Sequence, residues 1–300
     1  MSVRFALVFC LFAGIGNASA TETEWTVASG DWSTAENWTN GEPIADCRAV
    51  VADGNATITQ AGEVCSELRV GPDSGTIAFL QMNNGTLDVS GAVILDRGVM
   101  SQFNGASNFG RLHCGGESTG SFTQGNGFVA IGTLVAGSSE ATGTYSLSTG
   151  TLDVSDSTIV NRFGSIVLSG FNTTSALGHV TVAGGFSVAN GSNPIAAESL
   201  VMAETARTLL TVGPGVISLI DVNGAVVIDG SLQIQDPQDV ADGTYELFRG
   251  SSITGGFSSE DLPGDQWSWF VEGNSLFIRK GDPTPVTLTS WGSLKRARTN

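Results

Sequence analysis

The sequence predicts an all-β protein: a right-handed parallel β-helix (β-solenoid) with a tryptophan-rich N-terminal cap and a C-terminal β cap. The 300 residues include 40 Gly but only 8 Pro and 14% charged residues, a composition typical of tight turns between short strands. The hexapeptide Gly-Thr-Leu-Asp-Val-Ser occurs at 85–90 and again at 150–155, and internal repetition indicates a repeat architecture. Apolar and polar residues alternate around both copies, as they do in strands.

Residues 1–20 are predicted to be a secretory signal peptide. Arg4 precedes the apolar run 5–15, and the small residues Ala18-Ser-Ala20 end the segment, which is the pattern of a cleaved leader. The alternative is a membrane anchor, but an apolar run of about a dozen residues is too short to span roughly 30 Å of hydrocarbon. We therefore expect a secreted, extracellular or cell-surface protein with no transmembrane segment after cleavage.

Residues 21–44 are the predicted N-terminal cap and contain Trp25, Trp32 and Trp38. The first coil of a solenoid needs a cap, because its open strand edge would otherwise pair with other chains. We expect the three tryptophans to fill this end. The alternative is that their indole rings are exposed and stack on sugars.

Residues 45–240 are the predicted solenoid repeats. Gly85, Gly127 and Gly150 are equivalent turn residues, and the segment 101–109 fills the wider gap between the first two, so the period is about 20 to 23 residues. Residues 196–207 have some helical character but are expected to form one more coil. A β-sandwich is the alternative, since it also has short strands and glycine turns. The residues expected to point inward are Leu80, Leu87, Val89, Phe122, Val129, Ile131, Tyr145, Leu152 and Val154.

Three cysteines remain after leader cleavage, Cys47, Cys65 and Cys114. With a period near 20 residues, Cys47 and Cys65 would lie on neighbouring coils, about one strand spacing apart and close to disulfide geometry. We predict this pair as the candidate disulfide. The alternative is that all three are small buried hydrophobic residues.

A tryptophan pattern opens the chain after the leader, with Trp25, Gly30-Asp31-Trp32, Asn37-Trp38, Gly41 and Pro43. It resembles the start of bacterial secreted proteins built from autotransporter-type β-strand repeats. The repeats, and the ending at 243–278, are similar to the coils and last strands of such passenger-like regions. The resemblance covers residues 25–280 and implies a cell-surface or extracellular β-solenoid associated with adhesion and surface display more than with catalysis.

The C-terminal part differs from that of an autotransporter. The chain stops at Asn300 without room for the many strands of about ten residues that a membrane barrel needs, so we expect no self-translocation. Residues 241–281 are the predicted C-terminal β cap, and residues 282–300 are a basic tail. Trp291, Gly292 and Lys295 in this tail resemble a Trp-Gly-x-Ile/Leu-Lys ending of some bacterial exported proteins. That resemblance implies sorting or anchoring, and the alternative is a disordered terminus.

Charge excludes one class of partner. The formal net charge is −16, and such a chain would repel a phosphate backbone, so nucleic-acid binding is not expected. Residues 21–278 carry 28 acidic and 7 basic side chains, whereas residues 279–300 carry one acidic and five basic. This asymmetry predicts that the tail is a separate functional piece.

Catalysis is not expected, and no catalytic, cofactor-binding or metal-binding residue is predicted; calcium is the one cofactor left open, although no motif indicates it. Polysaccharide lyases need a base such as Lys or Arg and often use carboxylate-bound calcium, but residues 21–277 contain no Lys and no calcium motif. His113 and His179 lack the ligand spacing of a zinc site. The residues that could serve a lyase, each more simply a turn or solvated-face residue, are Arg111, Arg162, Asp88, Asp96, Asp153 and Asp156.

These features predict a secreted or cell-surface structural or adhesive β-solenoid without catalytic activity. Its expected partners are cell-envelope components or glycans. The alternatives are a lyase-like polysaccharide-degrading enzyme on a β-helix and a carbohydrate-binding module.

Overall fold

The computed structural model describes residues 21–72, 75–170, 173–189, 194–213, 219–236 and 240–281. Apart from a single 3-10 turn at Ala35–Asn37, the regular elements in these ranges are strands. In chain order they are β1 (Glu22–Glu24), β2 (Ser29–Asp31), β3 (Arg48–Val51), β4 (Asn55–Ile58), β5 (Glu63–Cys65), β6 (Glu67–Val70), β7 (Ala78–Met82), β8 (Thr86–Leu95), β9 (Gly98–Gln102), β10 (Ala106–Cys114), β11 (Gly120–Gln124), β12 (Phe128–Ala136), β13 (Gly143–Leu147), β14 (Thr151–Val160), β15 (Gly164–Leu168), β16 (Thr174–Ala176), β17 (His179–Val182), β18 (Gly185–Val188), β19 (Ile195–Ala197), β20 (Ser199–Met202), β21 (Arg207–Thr211), β22 (Ile220–Val222), β23 (Ala225–Ile228), β24 (Ser231–Gln235), β25 (Gly243–Arg249), β26 (Ser252–Gly255), β27 (Ser259–Asp261), β28 (Trp267–Glu272) and β29 (Ser275–Lys280).

The strands form a parallel β-solenoid of about 9 turns. Each turn contributes to two sheets, one of 18 and one of 11 strands, and strands pair with their counterparts one turn away. Corresponding positions at the start of successive turns are Thr86, Ala106, Phe128, Thr151 and Thr174. The predicted solenoid and its period are confirmed. The parallel register excludes the β-sandwich, whose sheets are antiparallel.

The core consists of inward-pointing side chains. Side chains at corresponding positions of successive turns stack in files that run parallel to the solenoid axis. One file in the larger sheet runs through Leu87, Ser107, Val129 and Leu152. In the smaller sheet Phe122 stacks on Tyr145 with ring centroids 5.3 Å apart. All nine residues predicted to point inward are buried, so the strand alternation was interpreted correctly. The segment 196–207 is strand rather than helix, as expected.

Two buried glutamines satisfy carbonyl groups at one corner of the solenoid. The Gln124 amide donates to the carbonyl oxygens of Gly127 and Thr151 at 3.1 and 2.9 Å. The Tyr145 hydroxyl in turn donates to Oε1 of Gln124 at 2.6 Å. Gln102 makes the equivalent amide contacts one turn earlier. The Gly127 and Gly105 carbonyls also accept backbone hydrogen bonds from Thr151 and Phe128, so each glutamine amide adds a second hydrogen bond from inside the core.

Glycines allow the chain to reverse between the sheets. Gly127 and Gly150 have φ of 87° and 99°, a region that residues with a Cβ rarely enter, and Gly85 and Gly105 occupy the same corner in the preceding turns. The predicted equivalence of Gly85, Gly127 and Gly150 is confirmed. At another corner a Cβ on Gly143 would lie 1.8 Å from the carbonyl oxygen of Cys114, so only glycine fits.

The two ends of the solenoid differ from its middle. At the N-terminal end Trp25, Trp32 and Trp38 are buried together, with Trp38 edge-on to both other rings at centroid distances of 5.1 and 4.7 Å. At the C-terminal end β29 pairs antiparallel with both β25 and β28. The burial of the tryptophans favours a cap over a sugar-stacking surface. The domain boundaries proposed from the sequence stay predictions, and the leader and basic tail lie outside the described residues.

Candidate functional site

A groove of about 620 Å³ crosses five successive turns of the solenoid. It runs along the corner at which the chain passes from the larger sheet to the smaller one, after β14, β17, β20, β23 and β26. With neighbouring strands about 4.8 Å apart, five turns span roughly 19 Å. Its lining residues are Arg162, Phe163, Gly164, Gly184, Gly185, Glu204, Thr205, Ala206, Arg207, Ser231, Ser258 and Ser259.

Parallel register places one file of outward residues along the groove. Gly185 pairs with Arg207, Arg207 with Ser231, and Ser231 with Ser259. Gly185 contributes no side chain beside Arg207, and the next residue of this file toward the N terminus is Ser165. A Cβ on the adjacent Gly184 would lie 2.1 Å from a backbone oxygen. A larger residue therefore does not fit at position 184, at the bottom of the groove.

Two arginines face the groove, and neither has a carboxylate partner among the described residues. Within the described ranges, neither Arg162 nor Arg207 forms an ion pair, whereas Arg48, Arg69 and Arg249 each do. The turn that carries Arg207 is two turns beyond the turn that carries Arg162, a separation of roughly 10 Å along the axis. An unpaired guanidinium presents its full fork of donors to a ligand.

An aromatic ring lies at one end of the same groove. Phe163 is 45% exposed, and the Arg162 guanidinium carbon lies 5.7 Å from its ring centroid. The hydroxyl of Thr205 donates to a backbone carbonyl at 2.8 Å, which leaves its oxygen as an acceptor at the groove. Glu204 adds one carboxylate, so the three charged side chains sum to +1 in a chain that is strongly acidic overall.

A second groove of about 330 Å³ lies on the larger sheet near the N-terminal end. Asp88, Asn108 and Phe128 line it, and the Asn108 amide donates to the Asp88 carboxylate at 3.3 Å. That carboxylate is therefore already partnered within its own sheet, and this groove provides fewer unpartnered polar groups than the first.

The candidate catalytic groups considered from the sequence are dispersed. Asp88 and Asp153 lie in one outward file but are separated by two turns that carry Asn108 and Ala130. Asp96 does not share that face: it is buried and accepts backbone hydrogen bonds from residues 117 and 118 at 2.7 and 3.4 Å. A bulge in β8 lies between Asp88 and Asp96 and shifts the register of the strand.

The remaining candidates are also apart from one another. Asp156 accepts a hydrogen bond from Thr133 at 3.1 Å. Arg111 occupies an outward position of the larger sheet, paired in register with Thr133, while Arg162 lies in the groove at the corner.

The two histidines do not share a site. His113 lies near a backbone carbonyl at 3.3 Å, and His179 lies 3.0 Å from the Ser199 hydroxyl three turns further along the solenoid. Among the described residues no group of three or more His, Cys, Asp or Glu side chains could hold a metal ion.

Cys47 and Cys65 lie on neighbouring turns, as predicted. The amide of Ser66 donates to the carbonyl of Cys47 at 2.7 Å, so Cys65 is one residue before the partner of Cys47. All three described thiols are free and buried. Burial, with the neighbouring Cys47 as a further cause, raises the pKa of Cys65 to about 12. The disulfide stays a prediction.

Glu63 is a buried carboxyl that sequence reasoning missed. It is 5% exposed and occupies the inward file that continues through Leu87. Burial raises its pKa to about 7, and a hydrogen bond that the protonated Glu63 donates to the neighbouring Glu42 carboxylate, together with the charges of Glu42 and Asp31, acts in the same direction. Its inward position could have been recognised from the sequence, because Glu63 is two residues before Cys65 and alternate residues of a strand share one face.

Trp291, Gly292 and Lys295 of the tail lie outside the described residues. Within the part of the chain that is described, no helix is sufficiently long and apolar to cross a membrane. No protein-family model matches the chain, and no curated protein matches it. The groove geometry is therefore the principal guide to function.

Proposed function

We propose that the protein is a secreted or cell-surface β-solenoid that acts as a structural or adhesive element and not as an enzyme. The observation that carries this proposal is the continuity of the inward files from the first turns to the C-terminal strands. About 9 turns at roughly 4.8 Å each give a rigid body on the order of 40 Å long. Such a body can display repeated outward positions at fixed spacing.

The groove supports adhesion better than catalysis. It offers two guanidinium groups, hydroxyls and an aromatic ring across five turns, which is a long and shallow arrangement suited to holding an extended ligand. A lyase would instead need a base and charge-stabilising groups converging on one carbon atom. The candidate groups Arg111, Asp88 and Asp153 lie on the larger sheet, away from Arg162.

One assay on the full chain separates these functions. The protein is incubated with acidic and neutral glycans and with cell-envelope fractions, and both retention and the appearance of unsaturated or reducing ends are measured. Retention without new ends is the expected result. Turnover of any glycan would overturn the non-enzymatic proposal in favour of the lyase-like alternative. Absence of retention on every surface would overturn the adhesive role.

The basic tail is the proposed attachment element of this acidic protein. Residues 282–300 carry three basic side chains and one acidic one, because Arg279 and Lys280 belong to β29, and this basic tail would be attracted to an anionic envelope or engaged by export machinery. Deleting residues 283–300 should shift the protein from the cell-associated to the released fraction. Unchanged partitioning would show that the tail has no anchoring role.

A further inference from the structure

We propose that the groove between Arg162 and Ser259 is a binding site for an acidic oligosaccharide whose carboxylate or sulfate groups are held by Arg162 and Arg207. This inference rests on the proposed adhesive function and names its ligand class. Both arginines belong to the small set of seven basic residues in 21–278, and both line the same groove.

The first argument is local electrostatics: the net charge of −16 repels a polyanion from the protein as a whole, but the charged side chains that line this groove sum to +1. An exposed arginine in a chain with 28 acidic residues between 21 and 278 has many carboxylates available as partners, as Arg48 and Arg249 show. Arg162 and Arg207 form no such pair with any described residue. Their guanidinium groups can therefore bind an external carboxylate or sulfate through two parallel hydrogen bonds, without first breaking an internal ion pair.

The second argument is the spacing of the two arginines. Arg162 and Arg207 are separated by two turns, roughly 10 Å along the axis, and this distance is comparable to the length of a disaccharide unit in an extended glycan. Alternate sugars bearing an acidic group would thus meet successive arginines. The sugar between them would lie over Gly184 and Gly185, which contribute no side chains of their own, and beside the Ser165 hydroxyl, which would lie 3.1 Å from a Cβ on Gly185.

The third argument is the chemistry of the remaining wall. The exposed ring of Phe163 provides an apolar face for the C–H groups of a sugar. Beyond Arg207, Ser231 and Ser259 continue the same file, and hydroxyls can both donate to and accept from sugar hydroxyls. Glu204 accepts hydrogen bonds from hydroxyls but would repel an acidic group, so the acidic groups belong at the two arginines.

The test measures binding of three defined oligosaccharides to the full chain by calorimetry in the presence of EDTA, which keeps calcium from bridging acidic groups. The probes are a hyaluronan hexasaccharide, with a carboxylate on every second sugar, hexagalacturonate, with one on every sugar, and neutral cellohexaose. We expect the two acidic probes to bind at least tenfold more tightly than cellohexaose. Equal binding of all three, or no binding of the acidic probes, would overturn the inference.

Matched variants locate the site. Arg162→Gln and Arg207→Gln together should weaken binding of the acidic probe at least tenfold, since each loses a charge-assisted contact. Arg111→Gln removes the same charge from an outward position of the larger sheet and should change binding less than twofold. Ser259→Glu places a carboxylate in the groove and should also weaken binding, which gives an independent test if the double variant folds poorly. If Arg111→Gln weakened binding of the acidic probe as much as the double variant does, the assignment of the binding site to this groove would be overturned.

The same variants separate this inference from the adhesive function. If retention on envelope fractions persists while the arginine variants bind acidic glycans normally, the groove assignment fails and the adhesive function stands. If wild-type protein binds the acidic probes in the groove but is retained on no envelope fraction, the groove assignment stands and the adhesive function fails.

Discussion

Replacing Glu63 by Gln should remove a pH-dependent loss of stability that the wild-type protein carries. Glu63 lies 95% buried in an inward file, and burial, with the nearby Glu42, raises the pKa of Glu63 from 4.5 to about 7. The folded state therefore binds this proton more tightly than the unfolded state does. The stabilisation from protonated Glu63 is complete below about pH 4.5, declines between pH 4.5 and 7, and is lost above pH 7.

The size of the effect follows from the shift. One pKa unit corresponds to about 1.36 kcal/mol, so the upward shift of Glu63 is worth on the order of 3 kcal/mol. Glu42, its hydrogen-bonding partner, is exposed, and water at that carboxyl screens part of the interaction. We therefore expect a loss of about 1–3 kcal/mol between pH 4.5 and 8 in the wild-type protein.

Urea unfolding at pH 4.5, 6, 7 and 8 measures this effect directly. Glu63→Gln keeps the shape of the protonated side chain, so its stability should match wild type near pH 4.5 and exceed it by about 1–3 kcal/mol at pH 8. Glu36→Gln, an exposed substitution in the 3-10 turn, is the control and should follow the wild-type profile. If Glu63→Gln loses stability with pH as steeply as wild type does, Glu63 is not the titrating group.

Three further substitutions test the core, a turn and the C-terminal ion pair, each by urea unfolding monitored by circular dichroism. Leu152→Asp buries an unpaired carboxylate and should cost several kcal/mol, enough to unfold the domain, whereas Leu152→Met should stay folded. Gly143→Ala would place a Cβ 1.8 Å from a backbone oxygen and should lower the free energy of unfolding by about 1–3 kcal/mol. Gly264→Ala is the control and should cause no loss of stability, because its Cβ would meet nothing within 4 Å. Lys280→Met removes the ion pair between the lysine nitrogen and the Asp236 carboxylate, which lie 3.1 Å apart with side chains 4% and 6% exposed, and should cost about 3–5 kcal/mol. A wild-type unfolding midpoint in any of the three would show that the corresponding contact was misinterpreted.

The fold was predictable because its determinants are local. Alternation with a period of two identifies the inward face of a strand, as it did for Leu87, Val129 and Leu152. Glycine between two alternating segments identifies a corner, as it did for Gly127 and Gly150. Neither inference requires knowledge of which strand lies beside which.

The candidate site was not predictable because it depends on register. Arg162 and Arg207 are 45 residues apart in the sequence, and successive turns in this region differ in length. From Ser175 the corresponding position advances 20 residues to Ile195, then 25 to Ile220. Without a constant period, sequence spacing does not show that the two arginines line one groove. Glu63 was missed for a related reason, since an acidic residue at an inward position contradicts the expected pattern.

The two copies of the hexapeptide show where function can reside in a solenoid of this kind. Asp88 and Asp153 occupy the same position in their turns, yet Asp88 lies beside Asn108 and Asp153 lies between Ala130 and Ala176. Both copies thus keep the inward leucine and valine and the corner glycine, but the side chains beside their outward aspartates differ. Because stacking does not constrain them, outward positions are free to acquire binding groups, and Arg207, which follows Gly185 and precedes Ser231 in its file, is such a departure. Residues that interrupt the outward repeat are therefore better candidates for function than the residues that define it.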